Sequence, residues 1–371
     1  MQSFFIICPL GLEQICYSEL KEKYSHYFSS DLEASSINVI RGGIELGLPL
    51  HQGLLLNKIL KTPTRILWRL HNQKCRDLPK LYKIIKKISW AKILTQEIVN
   101  CEVSASKSRL FHSSKIKGTF DKALKDYFNA NHIPKKILDK FKESPVQTIY
   151  LRFHEDNLTI SLDTTGERLH KRGSKTVFSK APLRENIAAA LGHYLLSYLT
   201  LQEKITLFDP MCGSGNLLIE CLNFEKINNR NFNFEYLQID QSSDVPKVDK
   251  YKCPYQLKEL IGSDYNEKLI EQLQKIDSPV SFFVNDAFKK INTELATPLV
   301  ILSNPPFGKR IKLPLPPKDF YPKLISSYLK HYPVKAIGLL LPSQHARFLD
   351  YQNALEFDYN GLKLKFIIIS P

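Results

Sequence analysis

The sequence contains no Cys-x-x-Cys pair, and its seven cysteines (Cys8, Cys16, Cys75, Cys101, Cys212, Cys221 and Cys253) are odd in number and scattered. That spacing excludes a disulfide framework and a zinc-ribbon type of metal site, and it fits the reduced thiols of a cytoplasmic protein. No apolar run reaches the roughly 18 residues that a membrane span needs, so no membrane partner is expected. The opening stretch MQSFFIICPLGLEQICYSEL lacks a basic leader and soon meets Glu13 and Glu19. It reads as a first strand and helix, not as a signal peptide. Internal repeats and low-complexity tracts are absent. Glycine and proline are sparse, at 15 and 21 of 371 residues, so the places where they cluster are informative.

Acidic residues are also in deficit, and unevenly. Residues 1–200 hold 31 Lys/Arg against 18 Asp/Glu, and the remainder 21 against 19, within a net charge of +15. The excess is concentrated between residues 51 and 142. A basic N-terminal half on a near-neutral C-terminal half suggests a polyanion-binding module joined to a second unit. Charge alone fits a solvated lysine-rich surface equally well.

Periodicity divides the chain in the same way. SFFIICP (2–8) reads as a strand, LEQICYSELKEKY (12–24) as a helix, and SINVIRGGIELGLP (36–49) as two short strands broken at Gly42-Gly43. A helix that stops near Pro63 precedes a strand containing Ile66 and Trp68. DLPKLYKIIKKISW (77–90) is amphipathic, with Leu81, Ile84, Ile85 and Ile88 on one face and Lys80, Lys83, Lys86 and Lys87 on the other. A strand at 98–106, a helix in the second part of 107–128 and a hairpin over 148–166 complete an α+β half. GERLHKRGSKTVFSKAP (166–182) reads as a polar, basic linker, and Pro182 as the first residue of a long helix. From 204 onward apolar strands alternate with helices, the rhythm of a mostly parallel, doubly wound sheet. A proline-rich loop is expected over 313–322, and an antiparallel hairpin at the end, turning at Asn360-Gly361.

Two punctuated stretches stand out in this second half: DPMCGSGN (209–216) after ITLF, and SNPPFG (303–308) after PLVIL. In a doubly wound sheet, ligands bind at the carboxyl ends of the strands, near the point where the strand order reverses. Asp209, Asp264 (in GSDYN), Asp286 (in NDAF) and Asn304 end four successive strands. Gly213 and Gly215 would let backbone amides approach a ligand closely. Asp264 could accept hydrogen bonds from both hydroxyls of a ribose, and Asp286 could accept from an adenine amino group. The loop lacks the Gly-Lys-Ser/Thr end of a P-loop, and Leu218 stands where a dinucleotide fingerprint has its third glycine. An ATP or nicotinamide site is therefore poorly matched. Cys212 reads as a packing residue; a cytosine-methylating enzyme would want a Pro-Cys near 305.

DPMCGSGN, GSDYN, NDAF and SNPPFG, in this order, resemble the motifs of class I S-adenosylmethionine-dependent methyltransferases. An Asn-Pro-Pro-aromatic motif resembles that of enzymes methylating an exocyclic amino nitrogen of a base. LDTTGERLHKRG and APLRENIAAAL resemble THUMP-domain RNA guanine-N2 methyltransferases. RGGIELGLPL, TRILWRL and DLPKLYKIIKKISW are similar to the bacterial 23S ribosomal RNA guanine-N2 methyltransferases of the RlmL type, in a form with one methyltransferase domain. Asn216 stands where threonine is usual, and Phe307 where tyrosine is common.

This resemblance implies a ferredoxin-like α+β domain over 1–65, a THUMP RNA-binding domain over 66–165, a linker over 166–181 and a Rossmann-like, doubly wound methyltransferase domain over 182–371 with an antiparallel terminal hairpin. It implies S-adenosylmethionine as cofactor, held by Asp209, Pro210, Cys212, Gly213, Ser214, Gly215, Asp264, Asp286 and Asn304. Asn304, Pro305, Pro306 and Phe307 would be catalytic, and no metal is needed. The guanine N2 lone pair is delocalised and weakly nucleophilic. Hydrogen bonds from the amino group to the Asn304 side-chain oxygen and the Pro305 carbonyl would localise it toward the methyl sulfonium. Phe307 would stack on the turned-out base. The partner is RNA: 23S ribosomal RNA first, transfer RNA as the alternative. Arg168, Lys171, Arg172, Lys309 and Arg310 could meet its phosphates or be simply solvated. His112, His170 and His345 read as surface residues. A non-catalytic THUMP ribosome-assembly factor predicts a decayed motif, and both motifs are intact. A DNA adenine-N6 methyltransferase should carry a target-recognition domain in place of the basic half.

Overall fold

Two seven-stranded sheets organise the structure, a computed structural model that describes residues 1–33, 36–94, 98–131, 145–172, 183–199, 203–239, 251–253, 255–309 and 311–371. The first sheet contains β1 (Gln2–Ile7), β2 (Ile37–Ile40), β3 (Gly43–Leu48), β4 (Arg65–Lys74), β5 (Asn100–Ser106), β6 (Thr148–His154) and β7 (Asn157–Asp163), in the order β2-β3-β1-β4-β7-β6-β5. Its pairs are antiparallel except β5 with β6. Alternate residues such as Phe4 and Ile6, Ile66 and Trp68, and Ile149, Leu151 and Phe153 are buried. The period of two sends them to one face. That face packs with α1 (Glu13–Phe28), α2 (Leu50–Ile59), α3 (Leu78–Lys87) and α4 (Ser113–Ala130).

The expected boundary at 65/66 falls at the start of β4. This strand pairs with β1 on one side and β7 on the other. The stretches on either side of that expected boundary therefore share one continuous sheet.

The second sheet contains β8 (Ile205–Asp209), β9 (Leu257–Asp264), β10 (Val280–Val284), β11 (Leu299–Ser303), β12 (Val334–Pro342), β13 (Asn353–Tyr359) and β14 (Leu362–Ile369). Its order is β10-β9-β8-β11-β12-β14-β13. β8 to β12 run parallel, and β14 inserts antiparallel between β12 and β13. The turn at Asn360 and Gly361 has φ of 50° and 76°, the left-handed pair that a two-residue hairpin requires. Continuous apolar runs such as LVILS in β11, buried at every position, are what a strand covered on both faces looks like. One face carries α5 (Glu185–Leu199), α6 (Asn216–Leu222) and α7 (Glu267–Gln274); the other carries α8 (Pro317–His331). The expected proline-rich loop over 313–322 is corrected here, because α8 begins inside it. Pro317 occupies the first turn, where its missing donor costs nothing, and Pro322 lies within the helix. Pro182, Arg310 and most of the expected linker lie outside the described residues.

The two sheets are joined by buried polar chemistry. The Lys23 ammonium, 1% exposed, donates to Glu19 Oε1 at 2.7 Å and to the carbonyls of Ile59 and Phe224 at 3.0 Å each. Glu19 accepts in addition from the Lys61 and Thr62 amides and the Thr62 hydroxyl. Burial alone would raise the Glu19 carboxyl, but Lys23 and the Thr62 donors overcome it and hold it below its ordinary value. Phe232, Phe234 and Leu237, which lie between α6 and β9, pack into the N-terminal core.

Candidate active site

The strand order of the second sheet reverses between β8 and β11, and the two punctuated loops leave from the carboxyl ends of these neighbours. They are tied to each other. The Ser303 hydroxyl donates to Asp209 Oδ1 at 2.8 Å, and the same oxygen accepts the Met211 amide at 3.1 Å. Asp209 is 1% exposed. Burial pushes its carboxyl up to about 7, against the pull of Ser303 and Met211, and the Asp264 charge adds to the rise. Asp209 thus pins the base of both loops from within the protein.

The glycine loop bends back toward β9. Cys212 donates its amide to the Ser263 carbonyl at 2.9 Å, and Gly213 donates its amide to Asp264 Oδ2 at 3.1 Å. Asp264 Oδ1 accepts the Asn266 amide at 3.0 Å. Gly213 and Gly215 have φ of 53° and 74°, values that side chains rarely adopt. A Cβ at Gly213 would meet nothing within 4 Å, whereas one at Gly215 would sit 3.1 Å from the Phe282 ring. Gly213 therefore faces open space and Gly215 a packed wall. Gly215 caps α6, and Asn216 at the start of that helix donates its side-chain amide to the Leu183 carbonyl at 2.7 Å. That bond gives a structural use to the residue that departs from threonine. Ser214 and Cys212 are buried, and burial holds the Cys212 thiol well above its ordinary value, so it is an inert packing group.

Asp286 lies just past β10, exposed, with Oδ1 accepting the Phe288 amide at 3.0 Å. The Asn285 amide donates to the Asp264 carbonyl at 3.0 Å, which ties the Asp286 loop to the end of β9. Asn304 follows β11, half-buried. Its Oδ1 is fully shielded and has no hydrogen-bond partner among the described residues. A buried carbonyl oxygen without a donor costs about 1–3 kcal/mol. Pro305 is buried, Pro306 half-buried, and Phe307 packs against the domain core. The Tyr321 hydroxyl of α8 donates to the Pro306 carbonyl at 3.3 Å.

The basic candidates divide. Lys309, Arg168 and Lys171 are exposed, with Lys171 paired to Glu167 at 2.8 Å. Arg172 turns inward, 7% exposed, to Glu220, Asn228 and the Lys61 carbonyl. Its donors hold α6 to the N-terminal half. His345 is not a free surface residue: its ring stacks on Tyr321 with centroids 5.8 Å apart. Sequence reasoning missed Ser303 and Tyr321. Ser303 directly precedes the motif and could have been read as its support, whereas Tyr321 was hidden among prolines. No cluster of three or more metal-ligating side chains occurs among the described residues, and none of their helices is long and apolar enough to cross a membrane.

The donor and acceptor set fits an adenosine-bearing cofactor: a carboxylate at the end of β9, a second past β10, an open glycine loop between β8 and α6, and an unpaired oxygen at Asn304. Residues 172–356 match the RMKL-like methyltransferase domain. The ribosomal RNA large subunit methyltransferase K/L of Colwellia psychrerythraea is 27% identical over 338 residues, which is 84% of this chain and 44% of that protein. The chain therefore spans less than half the length of this curated relative. A possible methylase from Clostridium difficile 630 superposes with a TM-score of 0.76 at 22% identity, over 100% of this chain and 98% of its own. SMU.472, solved in complex with SAH, gives 0.74 at 20%, again over 100% and 98%. TrmN from Thermus thermophilus gives 0.65 at 15%, over 100% and 99%. These likenesses establish a shared fold along the whole chain. Through residues 172–356, this chain belongs to the RMKL-like methyltransferase domain family.

Proposed function

We propose that the protein transfers a methyl group from S-adenosylmethionine to the exocyclic N2 of a guanine in 23S ribosomal RNA. The observation that carries this reading is the place of Asn304 at the switch point, its Oδ1 without a hydrogen-bond partner among the described residues and its loop tied through Ser303 and Asp209 to the glycine loop. The cofactor supplies an electrophilic methyl sulfonium. Asp264 would hold the ribose hydroxyls while keeping the Gly213 amide, and Asp286 would accept from the adenine amino group. Asn304 Oδ1 and the Pro305 carbonyl would accept the two protons of the guanine amino group, drawing the nitrogen out of conjugation. Phe307 would stack on the turned-out base. Placing nitrogen and methyl in line supplies much of the rate as effective concentration. Once methylated, the nitrogen is acidic, so its proton leaves without a strong base. The basic N-terminal half, as a THUMP-type unit, would hold the RNA by charge and shape.

The test is incubation with labelled S-adenosylmethionine and separated ribosomal and transfer RNA from a deletion strain, followed by nucleoside analysis. N2-methylguanosine in 23S RNA is expected. The same nucleoside in transfer RNA alone would move the substrate, and methyl at another position would overturn the reading. Asn304→Ala should lower kcat by roughly 100-fold or more. Asp264→Ala should instead weaken cofactor binding by about tenfold or more, because it removes charge-assisted hydrogen bonds; calorimetry with S-adenosylhomocysteine separates the two effects.

A further inference from the structure

The motif loop has little freedom of its own. The pyrrolidine rings of Pro305 and Pro306 fix two φ angles and leave the ψ angles free. The ψ of Pro306 sets where its own carbonyl points and where Phe307 is carried. That carbonyl is gripped by the Tyr321 hydroxyl at 3.3 Å. Tyr321 is itself an immobile point: 0% exposed, its ring edge-on to Phe320 at 5.1 Å and stacked on His345 at 5.8 Å. α8 is anchored in turn by Phe320, Leu324 and Tyr328, all buried. Ser327 Oγ of the same helix donates to the Phe288 carbonyl at 2.9 Å, and Phe288 donates its amide to Asp286. One helix therefore holds the loops that carry Asp286 and Phe307.

We propose that Tyr321 is a positioning residue for methyl transfer. Its hydroxyl sets the Pro306 peptide, and through it the direction of Phe307. This rests on the reading of Asn304 to Phe307 as the base-holding loop. Tyr321 touches no reacting atom in this scheme and acts through the loop.

The test is Tyr321→Phe, which keeps the ring against Phe320 and His345 and deletes only the donor. Backbone amide nitrogen chemical shifts across 301–309 are compared in both proteins, with kcat, KM for RNA and the Kd for S-adenosylhomocysteine measured alongside. The Phe307 shift should change, because the carbonyl of its own peptide loses a donor, while those of β11 stay unchanged. Loss of one neutral hydrogen bond should lower kcat by up to about tenfold, with the cofactor Kd unmoved. An unchanged Phe307 shift overturns the proposal, as does unchanged kcat or a parallel change across β11. If wild-type protein methylates no guanine but the Phe307 shift changes, the positioning role stands and the proposed substrate falls.

Discussion

Asp209 shows how one side chain links stability to pH. Its carboxyl sits near 4 in an unfolded chain and is pushed up to about 7 by burial in the fold. Between those values the folded state keeps a proton that the unfolded state releases. Stability from this group therefore falls as pH climbs through that window, and the penalty is complete above about 7. Asp209→Asn retains an oxygen for Ser303 and Met211 but cannot ionise. The melting temperature of the variant minus that of the wild type should rise from about pH 4 to about pH 7 and then level off. Thermal scans across that range check it; a flat difference would place the carboxyl outside the window.

Among the elements, α6 is short, at seven residues, and depends on its start. Gly215 at its cap holds φ 74° with the Phe282 ring behind it. Gly215→Ala combines left-handed strain with a contact of 3.1 Å, and should cost about 1–3 kcal/mol in urea denaturation. It should also weaken cofactor binding, because the amides of 213–215 move with the cap. Elements such as this were legible because their signals are local. DPMCGSGN and Asn360-Gly361 announce themselves within a few residues, and the strand ends that follow hydrophobic runs place Asp264 and Asn304. The first turns of α8 were obscured because Pro317 and Pro322 resemble loop punctuation, although a first-turn proline is compatible with a helix. Tyr321 and its grip on Pro306 disappeared with them. Lys23 was illegible for another reason: in the chain it is one of two lysines on α1, and the carbonyls it meets, of Ile59 and Phe224, come from far along the sequence.

At the scale of the molecule, that lysine is central. A buried charge with three acceptors is stable while its partners remain, and deleting one side strands the other. Lys23→Met would leave the Glu19 carboxylate buried without its cation, at a cost of about 3–5 kcal/mol. Because the ammonium bonds residues from both halves, both sheets should lose stability together, seen as a common shift of probes placed in each. Separate transitions for the two halves would contradict this. A nearby lysine, Lys61, carries an amine that burial, with Arg172 and Lys23 adding to the effect, holds well below its ordinary value.

The position of β4 bears on how the chain can be made. Leu67 pairs with Phe5 on one side and with Asp163 on the other. While the polypeptide is being synthesised, the first side closes at once. The second stays an open row of donors and acceptors until residues 157–163 have left the ribosome, and open strand edges recruit other chains. A nascent chain stalled before that point should present an open strand edge, so slowing translation across residues 75–156 is expected to lower the yield of soluble protein, which comparing yields of synonymous slow-codon and fast-codon genes would check.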